Sequence, residues 1–347
     1  MGAYDAHKED YTRFLRELTV SVFNSPNAAL CDSLLSLELL GKLLAKHGCV
    51  RLYKYQPFDE RNVRDFLDGA MHMSPVDSFN DVNEGWQRFD EATVLDEIDK
   101  APNIDIEEKL ENGWDGLAEA MRKAMPNAMP PSKERAVELW KKTVEAIESS
   151  SSPANSLLWA SRMGLAAIRE SARCASLSET VSSASMWDRY ADGNKGFALG
   201  YDFSVFNLAC GLGRECSEGP EATGLLAPVI YGERSDLSML FMACCLYQEL
   251  RNPINNLFFL TMANMFARKA AEWRYEREWR VLTLALPADA RHMYVRKKPD
   301  AIYLGLKMGP DEKRRLKEAA VEAELDVYSM EMDYESEDYS LKPVRVA

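Results

Sequence analysis

Apolar positions open the chain at helical spacing. Phe14, Leu15, Leu18 and Val22 mark one amphipathic helix within residues 8–23. A second is predicted from Ser25-Pro26, where proline suits a first turn, to about Gly48. The period then drops to two. Val50 to Tyr55 (VRLYKY) predicts a strand, followed by Asp59 as N-cap of the short helix ERNVRDFLD and by Gly69 as its close. A second strand is expected at Ala70 to Met73, before the turn-rich SPVDSFND. Residues 90–170 read as mostly helical. One helix carries Ile104, Leu110, Leu117 and Met121, and another carries Val137, Trp140, Val144 and Ile147. A third runs from Pro153 to about Arg169. Beyond it, strands are predicted at Arg173–Leu177, Gly196–Tyr201, Ala227–Tyr231, Arg274–Leu286, Ala301–Gly305 and Leu325–Met330. Helices are predicted at about 236–250, 253–272 and 310–323.

Strands that do not alternate strictly with helices predict an α+β fold, not a doubly wound sheet. The expected architecture is a mixed or antiparallel small-sheet core over residues 49–89 and 171–347. Residues 1–48 add N-terminal helices, and residues 90–170 form an acidic helical insertion, either a lid or an integral layer.

Charge and composition narrow the function classes. No uncharged run reaches the ~18 residues of a membrane span. The opening MGAYDAHKEDYTRF lacks the apolar stretch of a signal peptide, so a cytoplasmic location is expected. Seven cysteines, odd in number and without a CxxC pair, suggest neither a disulfide framework nor a zinc site. Four histidines make a His-rich metal centre improbable. The net charge of −13 opposes bulk nucleic-acid binding. Its distribution matters more. Residues 268–317 hold fourteen Lys/Arg and seven Asp/Glu, a local +7, which leaves −20 for the rest. A solvated surface accounts for such a segment, and so does a phosphate-bearing ligand.

The P-loop, the GxGxxG turn, the GxSxG elbow and HExxH are all absent. Four segments remain. In Leu52-Tyr53-Lys54-Tyr55, alternation turns Lys54 to one sheet face and the tyrosines to the other. In Ser78-Phe79-Asn80-Asp81, Asn80 and Asp81 favour a turn, or a loop closing one end of a pocket. Trp187 and Tyr190 in MWDRYA stand three apart and share a helix face, a spacing more often found in cores than in ligand platforms. In WRYEREWR, an extended backbone would put Arg274, Glu276, Glu278 and Arg280 on one face. Carboxylates near guanidiniums stay ionised, which suits either binding ribose hydroxyls or a structural ion-pair ladder.

The order LYKY, SFND, MWDRYADGNKGFALGYDF, WRYEREWRV resembles the bacterial family known as domain of unknown function 2971, over roughly residues 50–90 and 173–305. More distantly the order looks like that of the ADP-ribosyltransferases, with a His or Arg on an early strand, Tyr or Ser on a central strand and an essential Glu on a late one. The resemblance implies catalytic Glu278 and Glu276, and a ligand-binding set of Lys54, Tyr55, Asn80, Trp187, Tyr190 and Arg280. It implies NAD as a substrate, with no resident cofactor required. Glu278 would orient the ribose and stabilise the oxocarbenium ion formed as the nicotinamide–ribose bond breaks. Lys54 stands where many members have His, and Arg189 and Asn194 also replace histidines.

Two functions therefore compete. One is an NAD-using ADP-ribosyltransferase-like enzyme in defence or as a toxin. The other is a non-catalytic regulatory protein that binds a nucleotide, or a protein through residues 90–170.

Overall fold

A computed structural model of the chain describes residues 51–81, 171–203, 225–232, 265–284 and 293–347, with a few residues between these stretches. The helices expected in 1–48 and 236–250, and most of the helical block 90–170, lie outside the described residues.

The first strand, β1 (Arg51–Gln56), and the helix after it, α1 (Glu60–Leu67), form where the pattern placed them. Asp59 caps α1 by accepting from the Asn62 amide at 2.7 Å, and Gly69 ends the segment at a positive φ of 61°. Strands β2 (Ala70–Pro75) and β3 (Ala172–Ser178), helix α2 (Ala184–Tyr190) and strand β4 (Phe197–Asp202) follow. Then come β5 (Leu225–Pro228), β6 (Ile230–Tyr231), β7 (Arg268–Lys269), β8 (Glu278–Leu284), β9 (Met293–Arg296) and β10 (Ala301–Leu304). Helix α3 (Pro310–Glu322), β11 (Asp326–Met332) and β12 (Leu341–Arg345) complete the series.

Among the described residues, ten strands form a mixed, mostly antiparallel sheet, an α+β arrangement as expected. Its path is β12-β11-β10-β4-β1-β3-β2-β9, and β8 pairs with both β3 and β5. Both faces are covered, which the alternation along each strand makes possible. On one face Leu52, Phe197, Leu199, Ile302 and Leu304 pack with Val63 and Phe66 of α1 and Leu316 and Ala320 of α3. On the other, Tyr55, Ala198, Ala301 and Tyr303 pack with Met186 and Trp187 of α2. Each fully buried large side chain contributes roughly 1.5–3 kcal/mol.

Three expectations change. The strand predicted from Arg274 begins only at Glu278, because Ala271–Glu276 is a 3-10 helix and Arg277 takes a left-handed φ of 45°. Arg274 and Glu276 therefore leave the sheet face that Glu278 and Arg280 share. The helix predicted through 272 gives way by β7, whose Arg268 pairs in parallel with Ile230 of β6. The predicted strand Ala227–Tyr231 is two strands, β5 and β6, separated by Val229.

One irregularity of the sheet positions the site. β3 is bordered on one side by β8 along its whole length, from Ala172↔Leu284 to Ser178↔Glu278. On the other side it meets β1 only at Tyr53↔Ser178 and β2 only at Ser74↔Cys174 and Pro75↔Arg173. Between those contacts β1 and β2 diverge, and the sheet opens beside the middle of β3.

Candidate active site

The opening is a cavity of about 210 Å³. β3 contributes Cys174, Ser176 and Ser178, small side chains on the face where cross-strand pairing also puts Glu278 and Arg280. Lys54 enters from β1, Tyr190 from α2, and Phe79, Asn80 and Glu84 from the loop after β2. Glu276 lines the cavity from the 3-10 helix, Glu278 from β8 and Lys269 from β7.

Arg280 is fully buried behind this wall. Its Nε donates to Glu278 Oε1 at 2.8 Å, and its Nη1 and Nη2 donate to the two oxygens of Glu84 at 2.8 and 2.7 Å. Phe79 lies 5.3 Å from the guanidinium. Lys269 Nζ reaches Glu276 at 2.6 Å, Glu278 at 3.2 Å and Glu84 at 3.6 Å. The Tyr190 hydroxyl donates to Glu276 Oε1 at 2.5 Å, and the Tyr231 hydroxyl accepts from the Glu278 amide at 2.8 Å.

This network splits the two carboxylates. Burial works to raise the pKa of Glu278, but Arg280 and Lys269 overcome it and hold the carboxyl down at about 2. Glu276 moves the other way, raised first by burial and then by the charge of Glu278. Two neighbouring carboxyls driven apart in this manner can divide ionic and proton-transfer work. Burial lowers the pKa of the Lys54 ammonium and raises the Cys174 thiol to about 12. Lys54 enters no ion pair among the described residues, although its residue is only half-buried.

Six of the eight residues singled out from the sequence line this one cavity: Lys54, Tyr55, Asn80, Tyr190, Glu276 and Glu278. Two do not. Trp187 has no exposure; its indole donates to Val181 O at 2.7 Å and packs edge-on against Tyr55 at 5.2 Å, so this member of the aromatic pair on α2 belongs to the core. Arg280 sits behind Glu278 and touches the cavity only through the carboxylates it holds. Tyr55 keeps its hydroxyl on Thr180 O at 2.7 Å, on the face opposite Lys54.

Sequence reasoning missed Glu84, Lys269 and Ser176, whereas Ser178 stands at the head of the segment that leads into MWDRYA. The serines carried a readable signal, since small polar residues alternate through ARCASLS. Glu84 carried none, because its partner Arg280 lies 196 residues away. Among the described residues no group of three or more His, Cys, Asp or Glu could hold a metal ion, and no helix is long and apolar enough to cross a membrane.

Residues 186–281 match the family model described as "Protein of unknown function (DUF2971)". That span contains Tyr190, Glu276, Glu278 and Arg280, while Lys54, Tyr55 and Asn80 precede it. No curated protein and no solved structure matches the chain.

Proposed function

We propose that the cavity cleaves the N-glycosidic bond of NAD, by hydrolysis or by ADP-ribosyl transfer to an acceptor. One juxtaposition supports this reading: an ionised carboxylate, a second carboxyl of raised pKa and a lysine in no ion pair among the described residues face a single small cavity. The C1′–N bond breaks and its electron pair leaves with neutral nicotinamide, so the leaving group needs no proton. The positive charge that develops on the ribose is stabilised by the Glu278 carboxylate, already fixed by Arg280 and Lys269. Water or an acceptor hydroxyl then bonds to C1′ and gives its proton to Glu276. Lys54 binds a ribose hydroxyl or a phosphate oxygen.

Incubation of the purified chain with nicotinamide-labelled NAD tests the proposal. Release of free nicotinamide and a rise in Tm with NAD are expected. Absence of both overturns it.

One observation favours the alternative, non-catalytic binding. Both oxygens of Glu278 are already engaged, Oε1 by Arg280 and Oε2 by Lys269, as in a structural ion-pair network. On that reading Glu278→Gln folds and binds nucleotide as the wild type does, with no turnover to lose.

A further inference from the structure

Asp81, Glu84 and Lys269 form a wall shared by the first cavity and a second. The second cavity measures about 500 Å³ and is also lined by Arg88, Arg234, Arg268 and Trp86. That volume lies within the roughly 300–1,000 Å³ common for small-molecule sites, whereas the first cavity falls below it. The first cavity is therefore too small for a whole dinucleotide, and the second has room for something larger.

Charge distinguishes the two. Of the two carboxylates that reach the second cavity, Glu84 is paired with Arg280 at 2.7 Å, and Asp81 accepts the Asn83 amide on Oδ1 at 2.9 Å. Arg88 and Arg234 are exposed and, among the described residues, in no ion pair; Arg234 donates only to Asn83 Oδ1. An otherwise acidic protein thus concentrates guanidinium groups around one concave site. Guanidiniums match phosphate oxygens in geometry as well as in charge. Trp86, 52% exposed, presents an indole at the same wall, with the Arg169 guanidinium 4.7 Å from its ring centre. Exposed aromatic surface beside cations suits a nucleobase.

We infer that the second cavity holds the diphosphate-bearing nucleotide half of the substrate whose glycosidic bond lies in the first. The substrate class is then a dinucleoside diphosphate, not a nucleoside. The inference rests on the reading of the first cavity given above, yet the second cavity can be probed separately.

The probe is ADP, titrated calorimetrically into the full chain. The wild type is expected to bind ADP, more weakly as salt rises. Arg88→Ala/Arg234→Ala, whose side chains are exposed, is expected to lose about tenfold or more in affinity. Glu278→Gln is expected to keep it. No binding of ADP, or equal binding by the double variant, overturns the inference. Nicotinamide release adds a second readout: the double variant should raise KM for NAD and leave turnover of nicotinamide riboside unchanged. If neither compound is cleaved but ADP binding depends on the arginines, the glycosidic reading fails and the phosphate site stands. If NAD is cleaved with equal KM by wild type and double variant, the phosphate site fails and the chemistry stands.

Discussion

Arg280→Met removes the guanidinium that ties Glu84 to Glu278 while keeping an apolar side chain of comparable length. Arg280 is fully buried, and the side chains of Glu84 and Glu278 are 1% and 5% exposed. With Arg280 gone, Lys269, 3.6 Å from one carboxylate and 3.2 Å from the other, can satisfy only one of them. Breaking a buried pair from one side costs about 3–5 kcal/mol. A second route gives the same size. The stranded carboxyl escapes by taking up a proton, and at pH 7 that costs about 1.4 kcal/mol for each pH unit above an ordinary pKa of about 4.3, or about 4 kcal/mol. The same arithmetic leaves about 1 kcal/mol at pH 5. Urea unfolding of wild type and variant at the two pH values checks both figures. The deficit should shrink as pH falls, and Glu84→Gln added to Arg280→Met should restore more than half of it at pH 7. A deficit below about 1 kcal/mol at pH 7, or one independent of pH, refutes the assignment of Arg280 as the clamp on both glutamates.

Other consequences follow from neighbouring residues. Lys54→Met should leave Tm unchanged or higher, since burial already disfavours the ammonium and no ion pair among the described residues is lost, while NAD binds more weakly; a Tm lowered by several degrees would contradict this. Glu276 has its pKa raised, first by burial and then by Glu278, so its protonated form favours the fold and that contribution fades as pH rises through the folded pKa. If it accepts the proton from the attacking group, kcat/KM should fall on the acid side with a midpoint above pH 4.5, and Glu276→Gln should abolish that limb. A midpoint below 4.5 counts against the role. Gly196→Ala should cost about 1–3 kcal/mol in denaturant unfolding, because an added Cβ strikes the Gln56 carbonyl across the β1–β4 junction; an unaffected midpoint would show that the junction yields.

Period-two alternation made the faces of β1 legible: Lys54 does stand opposite Tyr53 and Tyr55, as a strand requires. Local chemistry made the α1 boundary legible too, through Asp59 and Gly69. In the connection after α2, Asn194 takes a left-handed φ of 72°, which asparagine tolerates well. WRYEREWR misled because the same residues satisfy alternation whether or not the backbone stays extended. The left-handed turn at Arg277 leaves no mark in composition, yet it separates Glu276 from the strand and lets it approach the cavity from a different element. The pairing of Glu84 with Arg280 is wholly tertiary. So is the opening beside β3, which depends on where β1 and β2 happen to stop pairing. Strands β9 and β12 went unmarked, since Met293–Arg296 and Leu341–Arg345 are short and β12 carries Pro343.

The central claim is that Glu278 stabilises charge as a glycosidic bond breaks, and steady-state cleavage of NAD by Glu278→Gln tests it most directly. The amide keeps the shape of the side chain and removes its charge. With folding checked by circular dichroism, kcat should fall by about 10²–10³ while KM for NAD changes little. An intact kcat in a folded Glu278→Gln variant would contradict the account.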